Sequence, residues 1–177
     1  MTTDLLELYR RASDWTAEKI AGTTDLDAPT GCEGWRVRDL LDHMLDTQRY
    51  FAGAARGEKG SPPSPTPPPL STDDPTADFE KSRSQVLAAF GQDGVIEKTG
   101  PALGIAFSDQ LLHGWDLARA TGQDTTMPDG LAEKAYGAIH GLFTEEQRKG
   151  VFKPEVSVAD DATAQERLLA YTGRTPD

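Results

Sequence analysis

The sequence predicts an all-α protein: a bundle of four helices with one further helix and an irregular carboxy-terminal tail. Three observations carry that expectation. Apolar residues recur at intervals of three and four through most of the chain, glycines and prolines separate those stretches, and strand-like alternation is confined to one short run near the end. Such a succession packs most simply as helix on helix. At 177 residues the chain can bury a core without disulfides, so residues 1–177 are expected to form a single domain.

Residues 4–21 place Leu5, Leu8, Tyr9, Ala12, Trp15, Ala17 and Ile20 among charged neighbours, an amphipathic pattern stopped by Gly22. The stretch DAPTGCEGW is turn-like, and after it Val37, Leu40, Leu41, Met44, Leu45 and Phe51 predict a second helix reaching Ala55. Residues 57–76, GEKGSPPSPTPPPLSTDDPT, hold too many prolines for a helix or a central strand and should form an extended surface loop. Phe79, Val86, Leu87 and Phe90 predict a third helix ended by Gly91 and Gly94. A fourth runs from Pro101 or Ala102 to Gly122, and a fifth spans 128–149, where Pro128 suits a first helical turn. The tail contains an alternating run from Val151 to Val158 and a short helical pattern, TAQERLLAYTG.

The chain carries 18 basic and 29 acidic residues, a net charge of -11, which repels phosphate backbones and anionic lipid surfaces. No basic patch offsets it, so nucleic acid is not an expected partner. No apolar run approaches the roughly 20 residues a membrane-spanning helix needs. Cys32 is the one cysteine, and no secretory leader opens the chain at Met1, so the expected compartment is the cytoplasm.

The stretch FSDQLLHGWDLARATG sets Asp109, His113 and Asp116 at intervals of four and three. On a helix turning about 100° per residue, Asp109 and His113 lie some 40° apart and Asp116 falls within about 20° of Asp109, so all three share a face. Phe107, Leu111, Leu112, Trp115 and Leu117 flank that stripe, which therefore points inward, where charge is costly unless paired. His43 lies similarly among Leu40, Leu41 and Met44 on the second helix. Two imidazoles and a carboxylate from two helices can meet at a divalent ion such as zinc, nickel or iron. Each feature taken alone also fits a surface ion pair or a satisfied core hydrogen bond.

His140 has no acidic or histidine partner one turn away and should pack or face solvent. Cys32 reads as a small buried thiol or as a reactive thiolate near the amino end of the second helix. Trp15, Trp35 and Trp115 read as core anchors. Arg49 and Arg119 lie near in sequence to the two candidate ligand positions and are candidates for carboxylate recognition.

Three segments carry a family resemblance. GCEGWRVRDLLDHMLD, SDQLLHGWDLARATGQ and ERLLAYTGRTP together resemble the DinB-like metal-binding bundles, and within them the actinobacterial branch of mycothiol-dependent maleylpyruvate isomerases. That resemblance implies a DinB-like four-helix bundle whose metal ligands are His43, Asp109 and His113, with Asp109 standing where the isomerases commonly carry Glu. It places Asp116 as a partner that orients an imidazole N–H or caps a neighbouring chain. The implied cofactor is a divalent metal ion, zinc ahead of nickel or iron, with mycothiol as cosubstrate.

Two functions follow as expectations. One is a metal-dependent thiol S-transferase or isomerase that joins a small-molecule thiol to a small electrophile. The other is a non-catalytic metal-binding bundle, such as a homodimeric stress protein; its motives are that the additional carboxy-terminal domain of the isomerases is not expected in this sequence, that Asp109 replaces Glu, and that no acid-base group stands out.

Overall fold

The computed structural model describes residues 2–176, with side chains from residue 5 onward. Among the described residues all regular structure is helical, apart from one isolated antiparallel bridge between Pro29 and Arg36. Four long helices, α1 (Thr2–Ala21), α2 (Val37–Ala55), α3 (Pro75–Phe90) and α5 (Ala102–Ala120), form the bundle, with the short α4 (Val95–Thr99) before α5. Three more follow: α6 (Leu131–Ile139), α7 (Glu145–Val151) and α8 (Ala164–Tyr171). None of these helices is long and apolar enough to cross a membrane.

α1 and α2 each pack against α3 and α5, and so face each other across a diagonal of the bundle. Gln48 Nε2 on α2 donates across that diagonal to Tyr9 Oη on α1 at 3.1 Å. Burial raises the Tyr9 pKa, against the Gln48 hydrogen bond, so this contact is between neutral groups. The most extensive packing is α1 on α5. A Cβ on Gly114 would stand 2.5 Å from Thr16 Oγ1 and 2.8 Å from the Trp15 ring, so only glycine lets the helices approach this far. Thr16 Oγ1 there donates to the Gln110 carbonyl at 2.9 Å.

The core lies in two clusters. The larger is built around Tyr9, Phe90, Leu103, Phe107, Leu111 and Trp115; the smaller joins Ile20, Val37, Leu40, Leu41, Met44, Phe79 and Leu117. Cys32 and Trp35 pack on the smaller cluster, at the end of the bundle that holds His43 and His113.

The fifth expected helix, 128–149, is two helices. The apolar pattern continues through Ile139, Leu142 and Phe143, but the backbone turns extended at His140 and left-handed at Gly141 (φ 73°). α7 then starts afresh from Thr144, which forms a capping box with Gln147. The alternating run Val151–Val158 is not a strand: after α7 ends at Val151 it continues as irregular chain, tied to α8 by Val156 N–H donating to the Ala170 carbonyl at 3.0 Å.

The proline-rich segment is irregular, as expected, and is anchored beside α2. Asp42, buried on α2 next to His43, accepts from the Leu70 and Ser71 N–H groups at 3.0 and 2.6 Å. Trp35 Nε1 donates to the Pro65 carbonyl at 3.1 Å. Asp74 then caps α3 by accepting from Ala77 N–H.

Candidate metal centre

The turn before α2 brings two side chains toward the histidines. Thr30 N–H donates to the Trp35 carbonyl and Val37 N–H to the Ala28 carbonyl, while Gly34 takes the left-handed backbone (φ 80°) that closes the loop. Trp35 is thereby set against His43 on α2, and Cys32 against Asp116 on α5. The Trp35 ring lies 4.7 Å from that of His43, centroid to centroid, and is half-buried rather than the core anchor expected of it. Trp15 and Trp115 are buried in the core.

His43 on α2 and His113 on α5 meet edge to face, with centroids 4.8 Å apart. One turn back on α5, Asp109 Oδ1 lies 3.3 Å from His113 Nε2. Donor atoms of His43, Asp109 and His113 all fall within 4.8 Å of one another. His43 Nδ1 and Asp109 Oδ2 are buried without any hydrogen-bond partner, a state that costs about 1–3 kcal/mol for each group. Thr47 Oγ1 lies 3.4 Å from the other His43 nitrogen, Nε2.

These residues fit a divalent ion. Bonds of about 2.0–2.2 Å in a tetrahedral site set neighbouring donors roughly 3.4 Å apart. The Asp109–His113 separation matches that spacing, and the two unpartnered atoms supply a lone pair and a carboxylate oxygen. Asp109, one methylene shorter than Glu, still reaches His113. A second grouping, Cys32, His113 and Asp116, also lies within 4.8 Å. In that grouping Asp116 is already engaged by a guanidinium: Arg174 Nε donates to Oδ1 at 2.9 Å and Nη2 to Oδ2 at 2.7 Å. Oδ2 also faces His113 Nδ1 at 3.0 Å and Cys32 Sγ at 3.6 Å.

The charges divide sharply between the two histidines. Burial and the neighbouring His113 push the His43 pKa down to about 4, so this ring is neutral at ordinary pH. Burial opposes a proton on His113 too, but Asp109 and the Asp116 hydrogen bond outweigh it and hold its pKa well above the ordinary value. Asp116 is depressed because Arg174 outweighs its burial, and Asp109 is depressed by His113 in the same way.

The other expected candidates lie elsewhere. Arg49 pairs with Asp46 at the surface, and Arg119 donates to the Thr175 carbonyl while stacking on Trp115. His140 is exposed and stacks between Tyr136 and Tyr171. Arg174, the cation that does reach the centre, went unrecognised; its only sequence signal is its place after Gly173 in the closing ERLLAYTGRTP segment. A surface hollow of about 520 Å³ lies beyond Trp115, near the amino ends of α6 and α8, and none of the three clustered residues lines it.

Comparison with known proteins gives the family. The profile of the mycothiol maleylpyruvate isomerase N-terminal domain matches residues 6–120, well over half of the chain and the part that carries His43, Asp109 and His113. The chain belongs to that family. Two relatives from Mycobacterium tuberculosis, the uncharacterized proteins MT0763 (strain CDC 1551) and Rv0738 (strain H37Rv), are each 28% identical over 187 residues. Each alignment covers 97% of this chain and 98% of the relative. No solved structure matches. The matched segment thus ends with α5, while Arg174 reaches the same cluster from beyond it.

Proposed function

We propose that His43, Asp109 and His113 hold one divalent metal ion, zinc ahead of nickel or iron. On that reading the protein is a cytoplasmic, metal-dependent thiol S-transferase or isomerase that uses mycothiol on a small electrophile. The observation that carries it is the pair of unpartnered buried donor atoms, His43 Nδ1 and Asp109 Oδ2, in a cluster with His113. Family membership supports the thiol.

When bound, the ion supplies Lewis acidity that keeps a thiol deprotonated at neutral pH. The chain's own residues prepare the place. Asp116 holds the proton on His113 Nδ1, which fixes the ring and leaves Nε2 beside Asp109. Trp35 covers the ring of His43 and keeps water from that side. A proton on His43 Nε2, donated to Thr47 Oγ1, leaves the Nδ1 lone pair free. The side chains of His113 and Asp109 remain 12% and 22% exposed, so a small thiol can approach.

The test is turnover with mycothiol and a bimane electrophile. Zinc-loaded protein consumes the thiol, and chelator or His113→Ala stops it. Intact metal binding with no consumption across several thiol and electrophile pairs would instead support the non-catalytic metal-binding bundle.

A further inference from the structure

The carboxy-terminal segment enters the centre through one arginine. α8 ends in a tight cap: Gly173 is left-handed (φ 82°), and a Cβ there would meet the Lys153 backbone carbonyl oxygen at 2.7 Å and its carbon at 2.8 Å. Arg174 N–H closes the cap on the Leu169 carbonyl at 2.8 Å. The side chain that leaves this cap is fully engaged. Nη1 donates to Thr172 Oγ1 at 3.0 Å, while Nε and Nη2 grip the two oxygens of Asp116. Asp116 is only 5% exposed, and without that grip it would be a buried carboxylate facing an imidazole and a thiol alone.

We propose that Arg174 is a positioning residue for the metal centre: by clamping Asp116 it fixes the acceptor of His113 Nδ1–H and so keeps His113 Nε2 directed at Asp109 and His43. The guanidinium suits this task because its planar fork meets both carboxylate oxygens at once, which an ammonium group cannot do. The clamp comes from outside the matched family segment, residues 6–120. The identity of the bound ligand rests on the metal reading above; the clamp does not.

The test uses the full chain and two readouts, the His113 Nδ1 proton in metal-free protein by NMR and cobalt(II) affinity by chelator competition. The wild type shows a slowly exchanging Nδ1 proton, which is lost in Arg174→Gln and in Asp116→Asn. Each variant weakens cobalt binding by about 10–100-fold, and the double variant is no weaker than the worse single one, since both act along one path. Arg174→Lys keeps the charge without the fork and loses several-fold in affinity. A folded Arg174→Gln protein with the wild-type Nδ1 proton and cobalt affinity within about twofold would overturn the proposal and leave Arg174 as a tail anchor. Should Arg174→Gln not fold, an unchanged proton and affinity in Arg174→Lys overturn it equally. Wild-type protein that binds no cobalt contradicts the metal reading instead, and the Nδ1 proton alone then decides on the clamp.

Discussion

Trp35 lies over His43 with ring centroids 4.7 Å apart, and its indole N–H reaches past the histidine to the Pro65 carbonyl. One side chain thus ties the proline-rich segment to a candidate ligand. Trp35→Phe keeps a ring on His43 and removes a single hydrogen bond, a loss of about 0.5–1.5 kcal/mol. The Thr66 amide should therefore gain motion in NMR relaxation while metal affinity is retained. Trp35→Ala should lose both; loop dynamics unchanged in Trp35→Phe would show that the indole does not hold the segment.

The two histidines should titrate on opposite sides of the ordinary value of 6.5. In metal-free protein, His43 stays neutral until pH approaches about 4, because burial and His113 oppose its proton. His113 keeps its proton above pH 6.5, because Asp109 and Asp116 outweigh its burial. Removing the carboxylate charge in Asp109→Asn lets burial prevail, so the His113 titration should move down. Ring-proton chemical shifts against pH read both; two histidines titrating together near 6.5 would contradict the coupling.

Metal affinity should fall as pH falls, since an ion must displace the proton that His113 Nε2 shares with Asp109. Asp109→Asn keeps the shape of that side chain but not its charge. It should cost more than the roughly 10–100-fold that supporting partners are worth. Isothermal titration with zinc at several pH values checks both statements.

Gly114→Ala tests the α1–α5 crossing. Alanine gains about 1 kcal/mol of helix propensity, but the new methyl meets Thr16 Oγ1 and the Trp15 ring, and overpacking costs about 1–3 kcal/mol. The expected result is a net loss, read as a lower urea midpoint at unchanged slope. A raised midpoint would mean that the helices separate at little cost.

The four bundle helices were legible because each carries a continuous apolar face that its packing uses. His43, Asp109 and His113 were legible for a related reason: polar groups placed on such a face need partners, and the spacing of four puts two of them together. The break at Gly141 was not legible, because the apolar pattern runs through it while the backbone changes hand. Arg174 was missed because its partner, Asp116, lies 58 residues away and is reached through a helix cap rather than along a helix face. Trp35 was misjudged because an aromatic beside a helix start looks the same whether it fills a core or lies on a histidine.

Elemental analysis of native protein, paired with His43→Ala and His113→Ala, reads the occupancy of the His43–Asp109–His113 centre. Wild-type protein should carry close to one divalent ion per chain, lost in both variants while each remains folded. Wild-type protein without bound metal, or variants that retain it in full, would contradict the centre.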